Sequence, residues 1–431
     1  MPAPLAIPRG TTLLDPARVG AALRHLARPH DPETVQAFEQ AFAAFQGVRH
    51  AVAVSSGKAA LALILRALEL PPGAGVALAA YNVPEVPSLI AGLGLRARFC
   101  DIDPRTFAPT AEQLERVVDG GTRVLLATHL FGNPADLDGL AEVARARGLV
   151  LIEDCAQALC ATWRGRPVGT FGRAALYSFG LMKSLNAFRG GMITTDDDDL
   201  AAALRRLADE VPLQGRLAVG LGVAESAGIW LATRRSLFSA LVFPTLRLLD
   251  RLAPSLVDDA VKMRPDELES GALDPARVTF RMRSAQAAAG LDALATVQHE
   301  ADERSRNAAR LLERLAQLPA GVLPSHLAAA APAWTNVVLR LAERRRVRRA
   351  LLGAGIDTTY GYLMACHGLL PDASPPGGCP AAEAVTRETL YLPLGDGLTL
   401  DDMERIADAV SRALDGLPPT APGVLPTRSP S

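Results

Sequence analysis

The chain has 431 residues, and its 45 basic and 46 acidic side chains leave a formal net charge of −1. This balance argues against a nucleic-acid-binding protein, which normally carries a basic excess on one face. The length exceeds that of a usual single domain, so we expect a large domain followed by a smaller one. The five cysteines form no zinc-type cluster, and no signal peptide or membrane-length apolar run is seen, which predicts reduced thiols and a cytoplasmic location.

The first part of the chain predicts a lead-in arm up to Pro29 and then a helix over Pro32–Phe45. From there, short apolar runs alternate with helical patterns, which is typical of a mostly parallel sheet flanked by helices. The predicted strands are Ala51–Val54, Val76–Ala80, Ala97–Ile102, Arg123–Thr128, Leu149–Ile152, Ala174–Ser178 and Gly191–Thr195. The predicted helices between and after them are Ala59–Leu68, Val86–Leu93, Leu137–Arg147 and Leu200–Asp209.

An insertion over residues 211–275 breaks this alternation. Its segment Ile229–Leu252 is apolar but contains four arginines, Arg234, Arg235, Arg247 and Arg251. Base rates favour a helix at a dimer interface or a lid over the site. A second interpretation stays open, in which residues 229–252 lie on a membrane surface or cover a lipid-linked substrate. Pro244 predicts that the segment splits into two short helices.

The C-terminal part predicts one long linking helix over Arg281–Leu315, a strand over Thr335–Leu341 and helices over Arg344–Leu352 and Leu400–Leu414. We therefore expect an N-terminal arm (1–30), a large domain (31–280, including the insertion) and a linking helix with a small domain (281–417). The remaining residues, 418–431, are rich in Pro, Ser and Thr and predict a disordered tail.

Lysine stands at only three positions, Lys58, Lys183 and Lys262, whereas the other cations are arginines. Only lysine can form a covalent bond to a carbonyl compound through its deprotonated amine. A lone loop lysine is usually a solvated surface charge. Lys183, however, follows a predicted buried strand and precedes the glycine pair of the next one, which favours a partly desolvated pocket.

Two further stretches point to ligand binding at strand ends. The turn Ser55-Ser56-Gly57-Lys58 joins a strand to a helix, and its free N–H groups are suited to a phosphate, although a simple tight turn explains the glycine equally well. Asp154 ends an apolar strand, where ligands of open α/β sheets bind. A carboxylate there can keep a pyridine nitrogen protonated, and a helix N-cap role is compatible with that.

These stretches, in this order, resemble the DegT/DnrJ/EryC1/StrS family of pyridoxal 5'-phosphate (PLP) enzymes, which are mostly sugar aminotransferases. The motifs that carry the resemblance are AVAVSSGKAAL, FCDIDPRTF, THLFGNPADLD, LIEDCAQAL, SFGLMK with the following GG, FRMRSAQAAAGL and ETLYLPLGDGLTLDDMERIADAV. The resemblance implies an α/β fold-type-I PLP-dependent transferase, similar to aspartate aminotransferase. It also implies a large mostly parallel-sheet domain, a smaller C-terminal α+β domain and a homodimer with sites at the interface.

The resemblance assigns roles to individual residues of this chain. Lys183 would bond covalently to PLP and shuttle protons, Asp154 would pair with the ring nitrogen, and Gln157 would lie near the ring hydroxyl. Ser178 and the backbone of Gly57 and Lys58 would cradle the phosphate. The family marker His129 is interpreted as a loop-holding histidine, and no metal ligand is predicted.

The chain also departs from the family pattern. Lys58 stands where the family has threonine. The aromatic residue that stacks on the cofactor ring aligns with Val83, and Tyr81 is a possible substitute. The asparagine that reaches the neighbouring subunit's phosphate aligns with Thr279. Acceptor contacts are expected in the small domain, where Tyr360, Tyr362 and His367 lie.

The implied function is transfer of an amino group, with glutamate as the expected donor, to a keto group of a nucleotide-linked sugar or a related acceptor. One alternative is a pyridoxamine-phosphate-dependent sugar dehydratase, in which histidine replaces the lysine. Retention of Lys183 counts against it. Another is a regulatory or scaffold protein without turnover, and the intact set of Lys183, Asp154, Gln157 and Ser178 counts against that.

Overall fold

The computed structural model describes residues 5–12, 14, 16–253, 272–370, 375, 377–395 and 397–415. The predicted tail, 418–431, lies outside these residues. Within the described part of the chain, no helix is both long enough and apolar enough to cross a membrane.

A seven-stranded sheet forms the centre of the fold, in the order β1-β10-β9-β6-β5-β2-β4. Six of its seven strands run in the same direction, while β10 runs antiparallel to both of its neighbours. The strands of the described chain are β1 (His50–Val54), β2 (Gly75–Ala79), β3 (Tyr81–Asn82), β4 (Arg96–Cys100), β5 (Thr122–Thr128), β6 (Val150–Asp154), β7 (Thr162–Trp163), β8 (Arg166–Pro167), β9 (Ala174–Ser178), β10 (Gly191–Thr195), β11 (Ala330–Ala331), β12 (Asn336–Arg340), β13 (Met364–Ala365) and β14 (Thr389–Pro393). The predicted α/β class with a mostly parallel sheet is confirmed.

Helices pack on both faces of this sheet, as the alternation of side chains along β1 shows. Val52 and Val54 are buried in one apolar cluster, and Ala51 and Ala53 lie in another. The α-helices of the described chain are α1 (Pro16–Ala27), α2 (Pro32–Gln46), α3 (Gly57–Ala67), α4 (Glu85–Gly92), α5 (Ala111–Glu115), α6 (Leu137–Arg147), α7 (Asp198–Glu210), α8 (Arg216–Thr233), α9 (Arg235–Leu237), α10 (Phe243–Leu252), α11 (Ser284–Leu294), α12 (Val297–Arg314), α13 (Arg344–Gly353), α14 (Pro380–Glu388) and α15 (Leu400–Leu414).

Local sequence explains where these helices begin and end, and α2 is an example. The Asp31 side chain accepts a hydrogen bond from the Glu33 N–H at the start of α2, and Gly47 ends the helix in the left-handed conformation. Phe38 and Phe42 lie one turn apart and are fully buried against the sheet. The caps at the two ends, together with the apolar side formed by Phe38 and Phe42, explain why this segment forms a helix.

A separate apolar cluster lies in the C-terminal part, where β12 pairs with β14 and α12, α13 and α15 contribute buried side chains. Ile7 of the N-terminal arm joins this cluster and bridges to Ile356. The arm is thus tied to the C-terminal part of the fold. The domain boundaries at residues 31, 281 and 417 stay predictions.

The structure corrects three sequence expectations. The arm contains a helix, Pro16–Ala27, where only a lead-in was expected. The long helix over Arg281–Leu315 is interrupted at Ala295–Thr296. At the interruption Thr296 is the N-cap residue of the second helix, and its hydroxyl donates to the Glu300 carboxylate at 2.6 Å.

The third correction concerns the segment Ile229–Leu252, which is helical but does not break at Pro244. The chain breaks at Arg234, whose ψ of 123° is not helical. Pro244 instead lies in the first turn of α10, directly after a π-helical turn, Phe238–Val242. Proline is tolerated there because a first-turn N–H has no partner within its own helix.

Candidate active site

A cavity of about 340 Å³ lies between the lysine loop, the N-terminal arm and the C-terminal part of the chain. It is lined by Arg9, Gly10, Thr11, Gln157, Met182, Lys183, Ser184, Arg304, Thr335, Asn336, Thr359, Tyr362, Leu394 and Gly395. Two of the predicted site residues, Lys183 and Gln157, therefore line the same cavity. The volume is in the range of small-molecule sites.

Lys183 and Asp154 both lie at the carboxyl edge of the sheet. Lys183 is on the loop after β9, and Asp154 is the last residue of β6. Burial lowers the pKa of the Lys183 amine, and the carboxylates of Asp154 and Glu85 oppose that shift. Burial likewise raises the pKa of Asp154, opposed by the Ala156 N–H, which donates to its Oδ1 at 3.0 Å, and by Lys183 and His129. The buried amine and the buried carboxylate thus interact electrostatically, with Lys183 on the cavity wall and Asp154 not among the lining residues.

The turn before α3 is in close contact with β9, the strand that precedes the Lys183 loop, and with the neighbouring strand β10. Ser56 caps α3 by accepting from the Ala59 N–H, so the N–H groups of Gly57 and Lys58 stand in the first turn, where no helical acceptor exists. A Cβ at Gly57 would lie 3.0 Å from Cβ of Ser178. A Cβ at Gly191 would lie 2.5 Å from the Ser56 carbonyl carbon. Glycine at both positions permits this contact.

The Lys58 side chain, the unusual residue in this turn, pairs with Glu85 in the first turn of α4. The Lys58 Nζ and Glu85 Oε1 atoms are 3.4 Å apart, a long distance for an ion pair, and the Lys58 side chain is 41% exposed. The other carboxylate oxygen, Glu85 Oε2, is buried without a hydrogen-bond partner. The pair is loose, so the ammonium group of Lys58 is free to exchange this partner for an anion in the turn.

Gln157 is fixed by two hydrogen bonds to its side-chain oxygen. The Phe131 N–H donates to Oε1 at 2.9 Å, and the Tyr362 hydroxyl donates to the same atom at 3.3 Å. The amide NH₂ group therefore remains as the group that a ligand oxygen in the cavity can accept from. Tyr362 links this wall to the C-terminal part of the chain.

His129, Glu153 and Cys155 lie close enough together to suggest a metal site, but their groups are already engaged. The His129 ring accepts from the Ala135 N–H at Nδ1, which leaves Nε2 to donate to Glu153 at 3.3 Å. Glu153 also accepts three backbone N–H groups of the loop 169–172, each at 2.7 Å. Burial raises the pKa of the Cys155 thiol well above its ordinary value. The cluster holds loops together, as expected for His129.

Several residues considered from the sequence do not line the cavity. Tyr81 is fully buried, and its hydroxyl lies 3.0 Å from that of Tyr391. Tyr360 is buried beneath the Arg344 guanidinium, and His367 contacts Glu383 at 3.1 Å. Of the three small-domain candidates, only Tyr362 is on the cavity wall.

Thr279, which aligns with the family's asparagine, is engaged within its own chain. Its hydroxyl donates to the Pro275 carbonyl at 2.7 Å, and the residue is buried.

Sequence reasoning missed the wall contributed by the arm and by α12. Arg9 reaches the cavity and forms a two-point ion pair with Asp357, at 2.7 and 2.9 Å. Arg304 is buried on α12 and faces the same cavity. No local motif marks either residue, because both approach the lysine loop only through contacts distant in sequence.

Comparison with known proteins places the chain among sugar-modifying enzymes. A transaminase from Streptomyces venezuelae, dTDP-3-amino-3,4,6-trideoxy-alpha-D-glucose transaminase, is 31% identical over 91% of this chain and 89% of its own length. GDP-perosamine synthase from Caulobacter vibrioides is 30% identical over 88% and 89%. The crystal structure of S. venezuelae DesV matches with a TM-score of 0.71 at 28% identity, covering 92% of this chain and 94% of that one.

The family model described as the DegT/DnrJ/EryC1/StrS aminotransferase family matches residues 17–213 and 266–411. These ranges contain the turn before α3, the Asp154 strand and the lysine loop. The resemblance seen in the sequence is therefore confirmed, and the chain belongs to the DegT/DnrJ/EryC1/StrS aminotransferase family.

Proposed function

We propose that the chain moves an amino group from glutamate to a keto group of a nucleotide-linked sugar or a related acceptor, with PLP as cofactor. The observation that carries the proposal is an amine of lowered pKa, Lys183, beside the buried carboxylate of Asp154 at a cavity of substrate size. The names of the similar transaminases support the choice of acceptor.

The residues present fit the cofactor at its phosphate, its ring nitrogen and its aldehyde. The first-turn N–H groups of Gly57 and Lys58, with the Ser178 hydroxyl, suit a phosphate, and the glycine contacts keep that turn open. The buried Asp154 carboxylate suits a protonated ring nitrogen. When bound, the cofactor supplies an electron sink for the substrate carbon.

The chain's own groups then handle protons and orientation. The lowered pKa of Lys183 increases the fraction of neutral amine near pH 7, so Nζ can accept a proton from the substrate carbon and return it. Asp154 would hold the ring nitrogen's proton, and the Gln157 amide would donate to the ring hydroxyl oxygen. Gln157 and Asp154 would thereby orient the ring relative to Lys183.

The first half of the reaction provides the test. Purified protein with PLP and glutamate is expected to release 2-oxoglutarate in an amount equal to the protein sites and to convert the cofactor to pyridoxamine phosphate. Lys183→Arg keeps the positive charge but cannot bond covalently, and it should release none. Binding of PLP without this conversion would favour the regulatory interpretation. Conversion would leave the acceptor to be found among nucleotide-linked keto sugars.

We also propose that the chain acts as a homodimer, in keeping with the expectation from its family. Sedimentation velocity of the PLP-loaded protein measures this directly. A monomer that retains the glutamate half-reaction would contradict it.

A further inference from the structure

The insertion carries most of the large apolar side chains that the described chain exposes to solvent. Seven of the twelve lie between Arg216 and Leu252. They form the leucine surface, defined as Leu217, Leu221, Leu231, Leu241, Leu248, Leu249 and Leu252. Single exposed leucines need no explanation, but their concentration in this one segment raises the question of what they contact.

The exposed leucines follow helical spacing on both helices. On α8, Leu217 and Leu221 are four residues apart and lie on one side, with 78% and 61% of their surface exposed. On α10, Leu248 and Leu252 repeat the spacing, at 55% and 74%. The opposite side of α8 is buried, where Val223 packs in a cluster with Phe188. Each helix is thus attached to the protein by one side and presents leucines on another.

The leucine surface lies in a part of the chain that the family framework does not require. The family model matches residues up to 213 and again from 266, which leaves out 214–265. The residues proposed to bind the cofactor all lie in matched ranges, and none of residues 214–253 lines the cavity. The surface is therefore an addition to the shared fold and does not form the wall of the catalytic cavity.

Three of the four arginines of residues 229–252 make no ion pair within the described residues, whereas the fourth, Arg235, pairs with Asp402 at 2.7 Å. The two acidic residues of α8 and α10 pair with the protein itself, Glu225 with Arg189 at 2.8 Å and Asp250 with Arg348. Arg247 and Arg251 make no ion pair within the described residues. Arg234 is exposed and lies over the Trp230 ring, 4.8 Å from its centroid.

We propose that the leucine surface docks on an anionic lipid bilayer, with the leucines in the interfacial layer and the arginines at the lipid phosphates. This charge pattern favours a bilayer over a second copy of the chain, because two copies that met through the same patch would bring one excess of positive charge against another. Leucine and tryptophan beside arginine are typical of helices that lie in a membrane interface. Since no described helix is suited to span a membrane, the contact is peripheral.

Flotation of the PLP-loaded full-length chain with vesicles tests the proposal. The wild type should bind vesicles of phosphatidylcholine mixed with phosphatidylglycerol, and binding should weaken in high salt and without the anionic lipid. Leu217→Ser with Leu221→Ser, and separately Leu248→Ser with Leu252→Ser, should each lower the partition coefficient at least about tenfold. Arg251→Gln should lower it about fivefold.

A matched control is available on the rest of the surface. Leu23 and Leu327 are exposed outside the insertion, so Leu23→Ser with Leu327→Ser should leave vesicle binding unchanged. Sedimentation velocity should show the same oligomeric state for the wild type and all the leucine variants. Loss of vesicle binding in only one leucine pair would confine the contact to that helix and still support it.

Three results would overturn the proposal. They are a wild type that does not float with anionic vesicles, binding that neither leucine pair reduces, and leucine variants that dissociate an oligomer instead. The last result would assign the surface to a second copy of the chain. The glutamate half-reaction in the absence of vesicles should persist in every variant, so its loss would test the proposed catalytic function separately.

Discussion

Substitution of Gly191 by alanine should damage cofactor binding more than it damages the fold. The new Cβ would lie 2.5 Å from the Ser56 carbonyl carbon, 2.6 Å from its oxygen and 2.8 Å from the Gly57 nitrogen. These are backbone atoms, and they must retreat by about 0.9 Å to reach the ordinary contact distance of 3.4 Å. Such overpacking costs about 1–3 kcal/mol of the free energy of unfolding.

The same movement displaces the N–H groups that we propose for the phosphate. Loss of one charge-assisted hydrogen bond is worth about 1.5–3 kcal/mol, so the PLP dissociation constant should rise about 10- to 100-fold. Titration of visible absorbance with PLP measures that constant, and urea unfolding measures stability. Gly228→Ala is the control, since its Cβ would meet no atom within 4 Å. A folded Gly191→Ala protein that binds PLP as tightly as the wild type would refute the reasoning.

Three further predictions concern the charges around the site. Glu153→Gln removes one acceptor oxygen for buried N–H groups, so it should lower the free energy of unfolding, measured by urea denaturation, by about 2–3 kcal/mol. The control Glu142→Gln, at an exposed position, should change that free energy by less than about 0.5 kcal/mol. Burial raises the pKa of Asp154, so the folded cofactor-free protein binds the extra proton and loses stability as pH rises through that raised value. Asp154→Asn should therefore stabilise the cofactor-free protein more at pH 7 than near the ordinary carboxyl pKa of about 4, and an equal effect at both would contradict this. For the partly exposed pair of Lys58 and Glu85, a double-mutant cycle with Lys58→Thr and Glu85→Gln should give a coupling of about 0.2–1 kcal/mol in urea unfolding, and additive effects would show that the pair does not form.

The central sheet was predictable because each of its strands is marked locally. Buried parallel strands are short apolar runs between helical patterns, and β9 and β10 were predicted with the bounds that the structure shows. The positions of Lys183 and Asp154 at strand ends followed from the same patterns, because the carboxyl ends of neighbouring strands meet at one edge, whereas Gln157 was assigned through the family resemblance.

The parts that were missed depend on contacts distant in sequence. Helix α1 is only 12 residues long, and a helix of this length is marginal alone. It is held by the packing of Val19 and Leu26 in a cluster with Phe188 and Ala289. The cavity wall from Arg9 is likewise set by Asp357, far along the chain.

The surroundings of Tyr81 are likewise set by a residue distant in sequence. Its hydroxyl is satisfied by that of Tyr391 in the interior, 310 residues further along the chain. A buried phenol takes the position in which its hydroxyl finds a partner. No pattern in the sequence around residue 81 specifies that partner.

The identity of the cofactor-bonded lysine is the central claim, and borohydride trapping tests it most directly. The PLP-loaded protein is reduced, digested and examined by mass spectrometry for a peptide that carries the reduced cofactor. Because the chain has lysine only at positions 58, 183 and 262, the outcome is unambiguous. The account predicts the adduct on Lys183 in the wild type and none in Lys183→Arg. An adduct on Lys58 or Lys262, or no adduct at all in a protein that binds PLP, would contradict it.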